Sequence, residues 1–194
     1  MMFKRKKKDI LTYSKFLIFA HSMRMPLRDD LLERLNNQPR PNELCGVSVP
    51  ETLNSLSYGT LDALQRASTS DDVATAVITL LLNVKAQSVY DEDVNKVFGF
   101  IKFVEREVER INGLFSAIKT KYSSEEIQAG VKELNFGTFG VLDWYAKRMG
   151  IADQSDVMDV GWVRIYQCMK NDNEKAEYDR RLAEIYKNKS KTHK

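Results

Sequence analysis

Chemistry on this chain would have to start from very few side chains. Its 194 residues include two histidines, His21 and His193, and two cysteines, Cys45 and Cys168. A nucleophilic thiol needs a base beside its sulfur; the pairing open here is Cys45 with His21, and neither stands in a supporting signature. A zinc site needs Cys, His or carboxylate ligands at close spacing, whereas the cysteines are 123 positions apart and His193 lies among lysines. Gly137 and Gly140 are too sparse for a phosphate loop, because no Gly-Lys-Ser/Thr follows and no strand–turn–helix pattern surrounds them. Carboxylates are plentiful, but they read as solvated helix faces and caps rather than an acid–base pair. No residue is therefore assigned a catalytic, metal or cofactor role, and the expectation is a non-enzyme. His21 stands three or four positions from Leu17, Ile18 and Met25 and reads as a partly buried structural histidine.

The densest unusual composition is aromatic. Residues 133–151, ELNFGTFGVLDWYAKRMGI, hold Phe136, Phe139, Trp144 and Tyr145 with three glycines; Trp162 and Tyr166 follow. Side chains of this kind anchor protein interfaces, and they also fill cores. The preferred reading is a packed helix–turn–helix corner, in which Phe139, Trp144 and Trp162 fill the space between two helices and the glycines allow a tight turn. The six aromatics stay candidates for protein contact, as do Tyr178, Leu182 and Ile185 on a very polar final helix.

Helices must position all of these groups. Apolar residues recur at spacings of three and four through residues 11–24 and 27–35. The stretch QPRPNELCGVSVPE, residues 38–51, holds three of the four prolines and reads as a linker with one short strand at Cys45–Val49. Ser57 caps a helix through Ala67, and Ser70 ahead of Asp71 and Asp72 caps the next. Asp91 opens the clearest helix, about 92–119 and roughly 42 Å long, with Val94, Val97, Ile101, Val104, Val108 and Ile111 among its apolar stripe. Ser123-Ser124-Glu125-Glu126 is a capping box for a helix to about Leu134. Thr138 caps a helix ending before Gly150, which suits the left-handed terminal position, and the last helix starts near Gly161. No strand alternation is sustained. The expected class is all-α: a multi-helix bundle with one long central helix and a small N-terminal piece. The expected divisions are residues 1–48, 49–186 and a basic tail at 187–194.

Charge is unevenly spread. Lys4, Arg5, Lys6, Lys7 and Lys8 carry +5 and residues 187–194 carry +4, so a net charge of +3 leaves −6 for the rest. These ends could make salt-dependent phosphate contacts, but they lack the aromatics that would stack bases. Nucleic acid is expected as a partner only through them. MMFKRKKK followed by an apolar run interrupted at Lys15, with no small-residue cleavage site, does not read as a signal peptide. Apolar stretches are short of a membrane span, so no membrane partner is expected. Two unpaired cysteines suit a reducing compartment.

The run TLNSLSYGTLDALQRASTSDDVATAVITLLL, residues 52–82, resembles segments of tail assembly proteins of tailed bacteriophages. LNFGTFGVLDWYAKRMGI and the later YDRRLAEIY are similar to small phage morphogenesis proteins. The resemblance spans about residues 52–186. It implies a non-enzymatic helical protein, in the virion or host cytoplasm, that binds other phage structural proteins or itself as a homo-oligomer: an assembly chaperone, or a connector or ring subunit. The basic ends and separate N-terminal piece depart from the pattern and favour the structural role. The alternative is a nucleic-acid-associated protein using its ends.

Overall fold

The computed structural model describes residues 10–192. The expected class holds: the described residues are all-α except for one minimal hairpin. Its elements are α1 (Tyr13–Ser22), α2 (Met25–Asn36), β1 (Glu43–Leu44), β2 (Val47–Ser48), α3 (Tyr58–Ala67), α4 (Val73–Leu82), α5 (Ala86–Tyr90), α6 (Val94–Ser116), α7 (Ser124–Gln128), α8 (Gly137–Met149) and α9 (Trp162–Thr192), with 3-10 turns at Val131–Glu133 and Gln154–Asp159.

Contacts divide the chain into two compact units, and not at the expected boundary near residue 48. The first comprises the described residues through Leu53 with Ala63–Val108, and the second comprises Asn54–Asp62 with Glu109 onward. The reason lies in what the N-terminal piece packs against. Tyr13 and Phe16 of α1 are both 5% exposed. Phe16 meets Phe98 edge-on at 5.2 Å between ring centroids, and Tyr13 stacks on Tyr90 at 6.3 Å. Tyr13 N–H donates to the Glu92 carbonyl and Val94 N–H to the Leu11 carbonyl, so the starts of α1 and α6 are bonded together. The proline-rich stretch is a working part of this unit rather than a linker. Leu44 is fully buried. Arg40 donates to the carbonyls of Val49 and Pro50 and lies over the Phe103 ring. The carbonyl of Pro39 sits so close to Gly99, in mid-α6, that a Cβ there would overlap its oxygen.

Three local expectations are corrected. Cys45 is not in a strand: with Gly46 it forms the turn between β1 and β2, both residues at positive φ, the pattern of a two-residue hairpin loop whose twist suits the strands. Asp72, not Ser70, caps α4 by accepting the Thr75 N–H, while the Ser70 N–H closes the end of α3. Asp93, not Asp91, caps α6 through the Asn95 N–H. The Asp91 N–H closes α5, a short helix that the sequence reading did not anticipate. At 23 residues α6 spans about 34 Å, and α9, with 31 residues, is longer.

The second unit is built around Leu142, Tyr145, Ala146, Val157 and Ile165, with Trp144, Ile151, Val160 and Met169 packed against them. Residues 56–58 join it as an extended bridge: Tyr58 N–H donates to the Val160 carbonyl, and Trp162 N–H to the Leu56 carbonyl. Ser57 caps α3 as expected, its hydroxyl accepting the Thr60 N–H. The Ser123–Glu126 capping box closes in both directions, but α7 stops at Gln128. Gly130 then takes a left-handed conformation, so no single helix runs to Leu134.

Candidate protein-interaction surface

The corner at residues 134–150 is assembled by backbone capping, and its chemistry is apolar. Asn135 supplies the turn before α8, its side-chain oxygen accepting the Gly137 N–H at 3.0 Å. Thr138 is not the cap. It lies inside α8 and donates its hydroxyl to Asp62 at 2.7 Å, tying α8 to the start of α3. Gly150 takes the expected left-handed conformation at φ 67°, and its N–H returns to the Ala146 carbonyl. That places Ile151 against the core. Asp143 accepts from Gln154 and Lys147, and Arg148 grips Asp172 of α9 through two bonds of 2.9 and 3.0 Å. The guanidinium holds the Asp172 carboxyl below the usual range.

This framework separates the aromatics. Trp162 and Tyr145 are 1% exposed and belong to the core. Trp162 is enclosed by Phe115, Tyr166 and the Arg110 guanidinium. Trp144 and Tyr166 are half-buried. Phe136 and Phe139 stand out at 68% and 60% exposed. Phe139 is therefore not the core residue the corner reading expected: it lies on the same side of α8 as Leu142 and Ala146, three and seven positions on, yet at the N-terminal end of the helix it is left 60% exposed. Leu134, 62% exposed, and Ile127, 47%, precede them in chain order. Gly140 is what lets Phe136 fold back over the first turn of α8, since a Cβ there would come within 2.7 Å of the Phe136 Cβ.

Along α9, Tyr178 and Ile185 are exposed and Leu182 is half-buried, and Tyr186 extends the exposed set. The helix continues to Thr192, so Lys187 and Lys189 sit on a helix and not in a separate tail. Lys4, Arg5, Lys6, Lys7 and Lys8 lie outside the described residues. Between residues 121–126 and α9 opens a recess of about 750 Å³ lined by Lys121, Tyr122, Glu126, Glu177, Arg180 and Lys187, among others. Its basic and acidic groups are nearly balanced, and Lys121 already pairs with Glu177 at 3.4 Å.

Titratable groups elsewhere serve the fold. Asp72 accepts from the Tyr13 hydroxyl at 2.9 Å and the Tyr90 hydroxyl at 3.2 Å. Burial pushes its carboxyl up, but the bonds from Thr75 and the two tyrosines outweigh that and hold it below the usual range. Burial, then the bond to Asp72, raises Tyr13 in turn. Cys45 donates to the Ser88 carbonyl, and burial raises its thiol, the direction opposite to an activated nucleophile. His21 is exposed rather than partly buried. Among the described residues no three His, Cys, Asp or Glu gather as metal ligands.

Sequence reasoning had no signal for Asp62 as the partner of Thr138, or for Leu134 as part of the exposed set. Both depend on chain segments meeting from a distance. Comparison with family models, with curated proteins and with solved structures returns no match for this chain.

Proposed function

We propose that the chain is a non-enzymatic protein-binding module of bacteriophage assembly, a connector or ring subunit or an assembly chaperone, that binds other phage structural proteins or further copies of itself. The observation that carries the protein-binding reading is the pair Phe136 and Phe139, two large rings left in solvent by a corner whose other aromatics are packed. Exposed aromatic anchors beside polar surroundings are the usual centre of a protein contact. The exposed Tyr178, Ile185 and Tyr186 on α9 offer a second apolar strip in the same unit. The assignment to phage assembly rests on the resemblance of residues 52–82, 134–151 and 178–186 to tail assembly and morphogenesis proteins.

The test has two parts. Light scattering at two protein concentrations and two salt levels reads self-association. Co-expression with the major head, connector and tail proteins of a tailed phage reads binding, for wild type and for Phe136→Ser with Phe139→Ser. The expected result is either a defined oligomer or one retained partner, lost in the double variant while the fold persists. A monomer that retains none of these proteins, or binding indifferent to both substitutions, overturns the reading.

A further inference from the structure

Two apolar surfaces of this chain are opposite in charge. In the first unit, Leu17 of α1, Val73 at the start of α4, and Phe98 and Ile101 of α6 line an open recess of about 380 Å³, a size that takes a small ligand or a few side chains. Leu17 is 40% exposed and the other three are half-buried. Two carboxylates, Asp71 and Asp72, line it as well. Asp71 is exposed, and the Tyr13 and Tyr90 hydroxyls that bond Asp72 are neutral donors, so both charges stand. Among the described residues that line the recess none is Lys, Arg or His. In the second unit, Tyr178, Leu182 and Ile185 occupy positions i, i+4 and i+7 of α9. At 3.6 residues per turn they lie on the side opposite the packed Trp162, Ile165 and Met169. The charged residues within about 90° of that strip, between residues 171 and 190, are Lys175, Arg181 and Lys189 against Glu174, a net +2. Glu174 already has Lys170 beside it, at 3.8 Å.

We propose that the strip on α9 docks in this recess of a second copy of the chain. A helix face with apolar anchors at i, i+4 and i+7 is what a hydrophobic groove receives, and here the recess supplies −2 where the strip supplies +2. Charge selects this pairing over the two symmetric ones: strip against strip brings +2 to +2, and recess against recess brings −2 to −2. The contact is therefore heterologous, one face of each copy meeting a different face of the next, and contacts of that kind build rings or filaments. The inference rests on the reading of the chain as a protein-binding module that meets copies of itself, and it gives that self-association a place separate from Phe136 and Phe139.

The experiment uses the full chain and a pair of complementary variants, each followed by light scattering over a concentration series. The recess variant carries Leu17→Arg with Asp71→Arg, and the helix variant carries Tyr178→Glu with Ile185→Glu; all four positions are exposed, so circular dichroism should be unchanged. Wild type is expected to exceed the mass of one chain and to rise with concentration. Each variant alone should associate at least about tenfold more weakly, as loss of a central anchor does. Mixed in equal amounts, they should form a species of two chains and nothing larger, because the recess variant keeps its strip and the helix variant keeps its recess. The milder Asp71→Asn and Ile185→Ser should give smaller losses of the same sign. A monomeric wild type overturns the inference. A mixture that stays monomeric does so too, as does a recess variant that self-associates like wild type, which would place strip against strip. Phe136→Ser with Phe139→Ser should leave the self-association unchanged. Its loss in that variant would move the contact to the corner, overturning this inference while the protein-binding reading stands. A monomeric wild type that still retains a phage protein through Phe136 and Phe139 would separate the two in the same way.

Discussion

Gly99 and Gly113 both lie inside α6, and replacing each by alanine should shift stability in opposite directions. By helix propensity alone, either substitution stabilises an interior helical position by about 0.8–1 kcal/mol. At Gly113 nothing lies within 4 Å of the new Cβ, so that gain should appear nearly in full. At Gly99 the Cβ would overlap the Pro39 carbonyl oxygen and stand 3.1 Å from its carbon. The obstacle is backbone, and it is held from both sides. The Gln38 N–H bonds the Leu35 carbonyl, and Arg40 is tied to Val49 and Pro50, while the rings of Pro39 and Pro41 restrict rotation between them. Overpacking against an unyielding neighbour costs about 1–3 kcal/mol. Taking the upper end and subtracting the propensity gain leaves Gly99→Ala destabilising by about 2 kcal/mol. Urea unfolding of the two variants and wild type, followed by far-ultraviolet circular dichroism, measures both effects. A Gly99→Ala variant as stable as wild type would refute the close approach of residues 38–40 to α6, and with it the account of why the proline-rich stretch belongs to the first unit.

Trp162→Ala, which empties a site 1% exposed, should cost about 3–5 kcal/mol in the same assay. Asp72→Ala removes the cap of α4 and the acceptor of two tyrosine hydroxyls and should cost about 1–2 kcal/mol at neutral pH. Because the folded carboxyl titrates below its ordinary value, its contribution is present above the unfolded pKa and is lost as pH falls through the folded one. The gap between wild type and Asp72→Ala should therefore close below about pH 4. Tyr13 is shifted up, so wild type should lose stability above about pH 10, where the unfolded tyrosine ionises and the folded one resists, relative to Tyr13→Phe. Gly140→Ala forces the Phe136 ring to move; helix content should stay constant while any partner contact made through Phe136 weakens in parallel with Phe136→Ser.

Several helix boundaries were legible because they are local. Ser57, the Ser123–Glu126 box and Gly150 act within four residues of the groups they satisfy, and each does so where the spacing places it. Elsewhere the local code offered two acceptors and long-range partners chose between them. Ser70 and Asp72 can both cap a helix; Asp72 does so while also receiving hydroxyls from Tyr13 and Tyr90. Thr138 has a capping side chain but spends it on Asp62, 76 positions away. The N-terminal piece looked separable because prolines interrupt helices. They also stiffen extended chain, and here that chain runs against α6.

The helical class was determined by the sequence itself. Apolar spacing of three and four, with oxygen-bearing side chains ahead of it, stabilises helices through interactions that span a single turn, and no distant residue is needed to read them. Which side chains the helices hide was decided by the tertiary structure alone. Phe139 and Trp162 are comparable apolar residues in similar helical contexts, yet one is 60% and the other 1% exposed. Gly99 and Gly113 are the same residue in the same helix, yet one faces a carbonyl and the other open space. Burial and close approach depend on what another segment lays across a surface. That is a property of chain pairs far apart in sequence, and no single turn encodes it.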